Sequence, residues 1–506
     1  MAVVLNGNDL TLEQVRRIAV EREAVEIAPE ALERIDICRA MCQAKIDAKT
    51  VMYGVTTGIG EFSETVLDEK QTEQFQKYLI YSHAAGIGEP MPEEWVRGAL
   101  LSRINVHCNG HSGCRRDIPQ TLAAMLNAGV TPVVAKRGSV GASGDLSPMS
   151  QMALVPMGEG EAFYKGKRYP GAEAMKLAGV PTITYEARDG LATINGSNFI
   201  TSVGSMLLVE MENWLKTHDV AAAMTLEVLN VNLSGYDPRL HKVRGHGGSI
   251  TVAANIRRLL DDSPLLKRPG KKVQDAYSLR AVPQSAGPAR TAIDHARTVF
   301  ETELNGVGDN PIFFPESDDV ISGANFQGTP MAMALEYAQL ATTAVAVLSE
   351  RRLNRLMNPA LSQGLPGFLT SQGGLFSGLM LSQYTAGALV CEAKLLANPA
   401  AIGSIPAAAD QEDFVSMGWT STLKARQMLD LIPGVLGIEL LAACQGRDFR
   451  GKKFAPATQA VYELIRQDIP ALSEDRPLFN DHNRIAELVA SGAILKAAEQ
   501  VSGELE

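Results

Sequence analysis

A run of small residues at positions 138–148 could build a reactive group from the protein chain itself. The run reads GSVGASGDLSP, and its core is Ala142-Ser143-Gly144. Gly144 has no Cβ, so its amide nitrogen can approach the carbonyl carbon of Ala142 and close a five-membered ring. Loss of water from that ring and from the Ser143 side chain would leave a methylidene conjugated to an imidazolone, which is an electrophile. Taken alone, three such residues more often form an ordinary turn.

Further blocks with chemically capable side chains occur on both sides of this run. In chain order they are 53–60 (YGVTTGIG), 82–86 (SHAAG), 190–196 (GLATING), 274–280 (QDAYSLR), 325–330 (NFQGTP) and 410–417 (DQEDFVSM). Together with the run at 138–148, these blocks resemble the aromatic amino acid ammonia-lyases and aminomutases. The prosthetic group of that family is 4-methylideneimidazol-5-one (MIO), the product of the condensation described above. Chance is a poor explanation for so many motifs in the expected order.

The resemblance implies a role for one or more residues of each block. It makes Ala142, Ser143 and Gly144 the precursors of MIO. It makes Tyr53 the base that removes the β-proton, provided that the site lowers the phenol pKa toward working pH. The other implied catalytic residues are Asn195, a hydrogen-bond partner of the MIO oxygen or the substrate carboxylate; Tyr277, a second phenol near the group; and Arg280, a clamp for the substrate carboxylate.

The reaction that these residues predict is the elimination of ammonia from an aromatic L-amino acid. A β-proton has a very high pKa, so a general base alone is insufficient. An electrophile that captures the amino group turns it into a better leaving group. The substrate-binding candidates are His83, Gln274, Phe326, Gln327, Gln411 and Glu412. If the block 274–280 is helical, the three-residue spacing puts Gln274, Tyr277 and Arg280 on one face.

Two residues favour histidine as the substrate and urocanate as the product. His83 and Glu412 resemble the pattern of the histidine-acting members, in which a carboxylate can accept a hydrogen bond from a substrate imidazole N–H. A buried glutamate that faced a phenyl ring would have no such compensation. We therefore predict conversion of L-histidine to urocanate.

Other features leave alternatives open. The 325–330 block resembles the pocket wall of the phenylalanine ammonia-lyases more closely, and the run 280–284 resembles the phenylalanine and tyrosine enzymes or the aminomutases. Phe414 stands where the histidine-acting members often have a histidine. His83 could equally bind a phenolic hydroxyl. The alternatives are a phenylalanine or tyrosine ammonia-lyase, which would release cinnamate or coumarate, and an aromatic 2,3-aminomutase, which would release a β-amino acid. A helical scaffold without activity is disfavoured because every catalytic residue type is present.

Composition excludes several other classes of protein. The 506 residues carry a net charge of -10 without a cluster of Lys and Arg, so we expect no nucleic-acid or anionic-membrane partner. The N-terminus lacks a signal-peptide pattern, and no apolar run approaches the length of a membrane span, so we expect a cytoplasmic protein. The predicted partner is a small aromatic amino acid.

The six cysteines predict reduced thiols and no metal site. They are scattered along a long chain, whereas a disulfide framework needs a higher density. Cys38 and Cys42 could share one helix face. Four possible metal ligands occur close together in the sequence, namely His107, Cys108, His111 and Cys114. Their spacing fits no usual zinc pattern, so we expect no metal site there.

The hydrophobic periodicity predicts a mainly α protein. We expect a loop-rich N-terminal domain at 1–200 that carries the MIO segment, and a central helical bundle with a C-terminal helical region at 201–506. Predicted long helices are 205–229, 285–304, 331–357 and 374–396, with a capping box at 11–14 and a stop at 358–359. The stretch 235–273 is predicted to be a long connection. The resemblance implies the fumarase/aspartase-like architecture and a homotetramer whose active sites combine loops of different subunits.

Overall fold

The fold is mainly α, as predicted. The computed structural model describes residues 2–267, 271–451 and 453–506, and long helices account for most of them. By packing, the chain groups into two compact units, each assembled from three segments. The division into domains 1–200 and 201–506 remains a prediction. Pro269, which belongs to the predicted connection 235–273, lies outside the described residues.

The first unit comprises 1–209, 296–336 and 399–423. Its complete helices are α1 (Leu12–Ala19), α2 (Pro29–Asp47), α3 (Glu69–His83), α4 (Glu93–Cys108), α5 (Asp117–Ala128), α6 (Leu146–Leu154), α7 (Gly171–Ala178) and α8 (Asp189–Ile194). Its strands are β1 (Val3–Leu5), β2 (Val25–Ile27), β3 (Ile87–Pro90), β4 (Thr131–Pro132), β5 (Ala135–Arg137), β6 (Glu161–Tyr164), β7 (Lys167–Pro170), β8 (Ile312–Phe314) and β9 (Asp319–Ile321).

The strands form small sheets only. Strand β1 pairs with β2 in parallel, β3 pairs with β5 and β8 pairs with β9 in antiparallel fashion, and β4, β6 and β7 make an antiparallel sheet of three. Sheets of this size cannot form a core by themselves. Helices therefore supply the rigid framework on which the connecting loops are held.

The second unit comprises 210–295, 337–398 and 424–506. Its complete helices are α10 (Pro238–Arg244), α11 (Gly247–Leu259), α12 (Tyr277–Arg280), α15 (Met380–Leu396), α17 (Pro456–Asp468), α18 (Phe479–Ala490) and α19 (Ala493–Ser502). Four further helices divide their residues between the two units, namely α9 (Asn198–Val228), α13 (Val282–Leu304), α14 (Thr329–Met357) and α16 (Gly418–Arg450).

Most helix predictions are confirmed. The side chain of Thr11 caps α1 and forms a capping box with Gln14. Helix α14 ends at Met357, directly before the predicted stop, while α15 begins at Met380, six residues after the predicted start. Helix α9 begins at Asn198, seven residues before the predicted start.

One prediction about the helices is wrong, and one long helix was not predicted. The stretch 235–273 contains α10 and α11, because Asp237 and Pro238 begin one short helix and a further apolar face begins after Gly247. The longest helix, α16, has 33 residues and was not predicted, since Pro433 lies inside it and interrupts the sequence pattern.

Buried charges join the helices of the second unit. Glu439 on α16 accepts hydrogen bonds from Arg352 Nε and Nη2 at 2.6 and 2.7 Å. The same carboxylate accepts from Thr225 on α9 at 2.8 Å and from Ser349 on α14 at 2.6 Å. All of these side chains are buried. Because every bond is directional, the network fixes the relative register of three long helices.

Two helices are more apolar than the sequence led us to expect. Among the described residues, α14 and α16 each contain a window long and apolar enough to span a membrane, with mean hydropathy of 1.4 and 1.5. In these windows 61% and 78% of the residues are buried by other parts of the protein. Core helices of large proteins have this pattern, and it is weak evidence for a membrane span.

The cysteines are free, as predicted. Cys38 and Cys42 share the buried face of α2 and pack with Met52, Val55 and Phe313. Burial raises the pKa of Cys42 to about 11 and that of Cys38 to about 12, which keeps both thiols protonated at neutral pH.

Candidate active site

The segment Ala142-Ser143-Gly144 lies in a tight bend between β5 and α6. Gly144 has φ +69°, in the left-handed region, and a Cβ at this position would overlap the carbonyl group of Gly196. The Asp145 amide donates to the Gly196 carbonyl oxygen at 2.9 Å. Only glycine can occupy position 144 with this backbone.

Asp145 holds the far side of the bend, a role that the sequence did not indicate. Its carboxylate accepts from the Ile200 amide at 2.9 Å and from the Ser139 hydroxyl at 3.0 Å. Complete burial raises the pKa of Asp145 to about 7. The bend is thus tied both to the start of α9 and to its own preceding residues.

Asn195 immediately precedes Gly196, so it lies beside the bend. It is the C-terminal cap of α8 and is buried. Its side-chain Nδ2 donates to the Asn310 carbonyl oxygen at 2.8 Å, and its own carbonyl oxygen accepts from Arg103 Nη1 at 3.0 Å. The side chain of Asn195 therefore has one orientation, set by groups from distant parts of the chain.

A buried charge cluster contacts Asn195 and its partner Asn310. Asp309 forms ion pairs with Arg103 at 2.9 Å and with Arg188 at 2.8 Å, and all three side chains are fully buried. Arg188 also donates to the Asn310 carbonyl oxygen at 3.1 Å. No sequence motif indicated this cluster. The available signal was Arg103, which stands among apolar residues of α4 such as Leu101 and Ile104, a position unusual for arginine unless its charge is paired.

Glu412 reaches the bend from a third part of the chain. Its Oε1 accepts a hydrogen bond from the Ser143 hydroxyl at 2.8 Å. Glu412 is half-buried and closes a turn with Ala407, whereas the neighbouring Gln411 is exposed. The structure therefore brings a carboxylate directly to the side chain that the predicted chemistry would convert.

Tyr53 lies in the turn after α2 and is half-buried. Its phenol oxygen accepts a hydrogen bond from the Gly60 amide at 3.0 Å. Burial raises the pKa of Tyr53, the Gly60 hydrogen bond opposes this, and the charge of Glu412 raises it further. The direction is opposite to the one that the sequence analysis required of a base. Within this chain the phenol is therefore held in its neutral form.

His83 is the last residue of α3. Its Nδ1 lies 2.8 Å from the Leu79 carbonyl oxygen and 2.9 Å from the Ser82 hydroxyl. Burial lowers the pKa of His83, while the Leu79 contact and the charge of Glu412 oppose the shift. Since Glu412 influences both His83 and Tyr53, the three groups lie within electrostatic range of one another.

Phe326 and Gln327 lie in the loop before α14. The Ser197 hydroxyl donates to the Phe326 carbonyl oxygen at 2.6 Å, which connects this loop to the residues that follow Asn195. The Gln327 side chain accepts from Thr329 at 3.1 Å. Both residues are half-buried, and their place in a pocket wall remains a prediction.

Gln274, Tyr277 and Arg280 form a second cluster, in the second unit. The Arg280 guanidinium lies 4.8 Å from the centre of the Tyr277 ring, and the Gln274 amide, turned with its oxygen toward Arg280, accepts from Arg280 Nη1 at 2.6 Å. Tyr277 and Arg280 belong to the single turn α12, which confirms their predicted helical spacing, whereas Gln274 lies before this turn and outside any helix. The cluster borders a surface cavity of about 720 Å³, and Tyr277 is 74% exposed.

The histidines and cysteines near position 110 have other roles. His107 is fully buried with Nε2 2.8 Å from the Ala192 carbonyl oxygen, and His111 Nδ1 lies 2.7 Å from the Phe313 carbonyl oxygen. Within the residues that the structure describes, no three His, Cys, Asp or Glu side chains converge in a way that could hold a metal ion.

Comparisons with known proteins agree with this geometry. The family described as aromatic amino acid lyase matches residues 10–467. The histidine ammonia-lyase of Alkaliphilus metalliredigens is 46% identical over 501 residues, which cover 99% of each chain. Two solved structures are also similar over nearly the whole length. The histidine ammonia-lyase from Trypanosoma cruzi has a TM-score of 0.91 at 37% identity and covers 99% of this chain and 96% of its own.

The tyrosine aminomutase from Streptomyces globisporus has a TM-score of 0.96 at 34% identity and covers 100% of both chains. Similarity of this extent confirms the resemblance that the motifs indicated. The chain belongs to the aromatic amino acid lyase family, and it is an ammonia-lyase, an enzyme that breaks a carbon–nitrogen bond.

Proposed function

We propose that the chain eliminates ammonia from L-histidine and releases urocanate. The observation that supports this substrate is the position of Glu412, half-buried and hydrogen-bonded to Ser143. A carboxylate beside the reacting centre needs a donor, and an imidazole N–H can provide one where a phenyl ring cannot. The curated relative at 46% identity carries the name histidine ammonia-lyase, which supports the same substrate.

We propose MIO, formed from Ala142, Ser143 and Gly144, as the prosthetic group. Its formation is supported by the glycine-only backbone at position 144 and by the half-buried Ser143 hydroxyl, which has to leave as water. When formed, MIO supplies an electrophile that makes the substrate amino group a better leaving group. The Asn195 side chain is fixed beside this segment by its hydrogen bond to Asn310. The Glu412 carboxylate orients the imidazole ring of the substrate.

Tyr53 is the proposed base: it accepts the β-proton, the C–H bond electrons form the carbon–carbon double bond, and the C–N bond electrons leave with ammonia. Burial raises the pKa of this phenol, and the neighbouring charge of Glu412 raises it further. A positive charge close to the phenol is therefore needed to lower the pKa and stabilise the phenolate. The proposed source is Arg280, which also binds the substrate carboxylate. The exposed position of Tyr277 beside Arg280 supports a homotetramer in which this cluster completes the site of another subunit.

The remaining proposals follow from these. The partner is a small aromatic amino acid, no metal takes part, no nucleic acid or membrane is bound, and the enzyme works in the cytoplasm. A second candidate function is a tyrosine or phenylalanine aminomutase or ammonia-lyase. It is favoured by Phe326 and Phe414 in the loops around the bend and by the similarity to the aminomutase structure.

A panel of substrates tests the proposal. The purified enzyme is given L-histidine, L-phenylalanine or L-tyrosine, and urocanate, cinnamate and coumarate are followed by ultraviolet absorbance, with chromatography for β-amino acids. We expect the highest kcat/KM for histidine. Faster release of cinnamate or coumarate would show that phenylalanine or tyrosine is the preferred substrate. A β-amino acid as the main product would show that the enzyme is an aminomutase.

A further inference from the structure

Two segments meet at the bend, and a residue without any role so far joins them. The Ser416 hydroxyl donates to the Gly141 carbonyl oxygen at 3.1 Å, and the Ser416 amide reaches the same oxygen at 3.4 Å. Next to it, the Met417 amide donates to the Val140 carbonyl oxygen at 2.9 Å. The segment that carries Glu412 is therefore hydrogen-bonded to the residues that precede Ala142.

The contact at Ser416 is tightly packed. Ser416 is 1% exposed, and Gly141 has φ +72°, so a Cβ on Gly141 would overlap the Ser416 hydroxyl oxygen. The same oxygen accepts from the Gly418 amide, the first residue of α16, at 3.2 Å. Because this hydroxyl both donates and accepts, its direction is fixed by the start of a long helix.

The turn that carries Glu412 needs such an anchor. Ala408, Ala409 and Asp410 have φ values of 50°, 54° and 64°, in the left-handed region that side chains other than glycine disfavour. The Val415 amide donates to the Ser404 hydroxyl at 2.8 Å, which closes the loop on itself. The Ser416 contact is different in kind, because it connects the loop to the bend at 141–144.

We infer that Ser416 is a positioning residue, whose hydroxyl sets the distance of the Glu412 carboxylate from Ala142-Ser143-Gly144 and so the preference for the substrate ring. The contacts of Ser416 with Gly141 and of Met417 with Val140 join the two segments, and Glu412 reaches Ser143 from the same loop. The Ser143 hydroxyl leaves as water when MIO forms, so the contact with Gly141 then has to hold the Glu412 carboxylate in place. The part of this inference that concerns ring preference rests on the proposed function.

The variant Ser416→Ala removes the hydroxyl, and Ser404→Ala is a matched control that removes a hydroxyl from the same loop without a contact to the bend. In Ser416→Ala we expect the ratio of kcat/KM for histidine to that for phenylalanine to fall by about fivefold to tenfold, the worth of one hydrogen bond. The intact mass should still lack two waters. In Ser404→Ala the ratio should stay within about twofold.

Hydrogen–deuterium exchange of the full-length enzyme gives a readout besides activity. Exchange at Met417 and at 140–141 should speed up in Ser416→Ala, whereas Ser404→Ala should speed exchange at Val415, whose amide donates to the Ser404 hydroxyl, and leave Met417 unchanged. If the Ala variant does not fold, Ser416→Cys keeps the side-chain shape with a weaker donor and should show a smaller shift in the same direction.

An unchanged substrate ratio with unchanged exchange at Met417 in Ser416→Ala would overturn the inference, and so would an equal effect of Ser404→Ala. A wild-type enzyme that prefers another amino acid would instead refute the proposed function. The exchange experiment would then still decide whether Ser416 joins the two segments.

Discussion

The Ser143 hydroxyl donates a hydrogen bond of 2.8 Å to the Glu412 carboxylate, although the two residues are 269 positions apart in the chain. Ser143 is the proposed source of the electrophile, and Glu412 is the proposed hydrogen-bond acceptor for the substrate ring. The contact places the Glu412 carboxylate beside the residue from which the proposed electrophile forms.

Replacing Glu412 should separate specificity from reaction. In Glu412→Gln we expect kcat/KM for histidine to fall by about 10- to 100-fold, because a hydrogen bond to a charged group becomes a neutral one. Phenylalanine turnover should be unchanged or faster. Asp413→Asn makes the same chemical change at the exposed next residue and should have no effect. An equal fall in kcat/KM for histidine and phenylalanine would show that Glu412 does not determine the preference for the substrate ring.

The mass of the protein should report ring closure. Wild-type enzyme should be lighter than its sequence mass by two water molecules, and Ser143→Ala should lose the methylidene and all activity above background. Ser150→Ala removes another buried hydroxyl, on α6, and should keep the full deficit. A wild-type mass equal to the sequence mass would contradict the proposed prosthetic group.

The pH dependence should follow Tyr53. Burial and the charge of Glu412 both raise the pKa of this phenol, so the base form appears on the alkaline side and kcat/KM should rise with pH. Glu412→Gln removes one of the two causes and should move the rising limb to lower pH. Tyr53→Phe should reduce kcat by about 10² to 10⁴, while Tyr78→Phe on the exposed face of α3 should not. A pH limb that survives in Tyr53→Phe would assign the base to another group.

The buried ion cluster of Asp309, Arg103 and Arg188 should contribute strongly to the free energy of unfolding. Asp309→Asn leaves Arg103 and Arg188 fully buried without their carboxylate, and we expect a loss of about 3–5 kcal/mol in the free energy of unfolding. Denaturant unfolding measures this. Glu161→Gln breaks the exposed pair with Arg168 and should leave the unfolding midpoint unchanged. Equal midpoints for the two variants would show that the cluster does not support the fold.

Subunit mixing tests whether the active site is shared. Ser143→Ala and Arg280→Met should each be inactive alone, since one lacks the electrophile and the other the carboxylate clamp. Co-expressed chains should regain part of the wild-type activity, because some sites combine two intact halves. Mixed tetramers, verified by native mass spectrometry, that remain inactive would place both groups in the site of a single subunit.

Local features of the chain were predictable from its sequence. The capping box at Thr11, the end of α14 before Asn358 and the helical spacing of Tyr277 and Arg280 depend on neighbours within a few residues. The glycine at position 144 was singled out for the same reason, since its need for an unusual backbone is a property of one residue. The motifs then identified the family because their order along the chain is itself sequence information.

Distances between remote segments were decided by the tertiary structure alone. The contact of Ser416 with Gly141, the pairing of Asp309 with two arginines and the raised pKa of Tyr53 all depend on which loops meet and how deeply they are buried. Residue types fix what a group can donate, accept or titrate. Its partners and its exposure to water, which set orientation and pKa, exist only once the chain has folded.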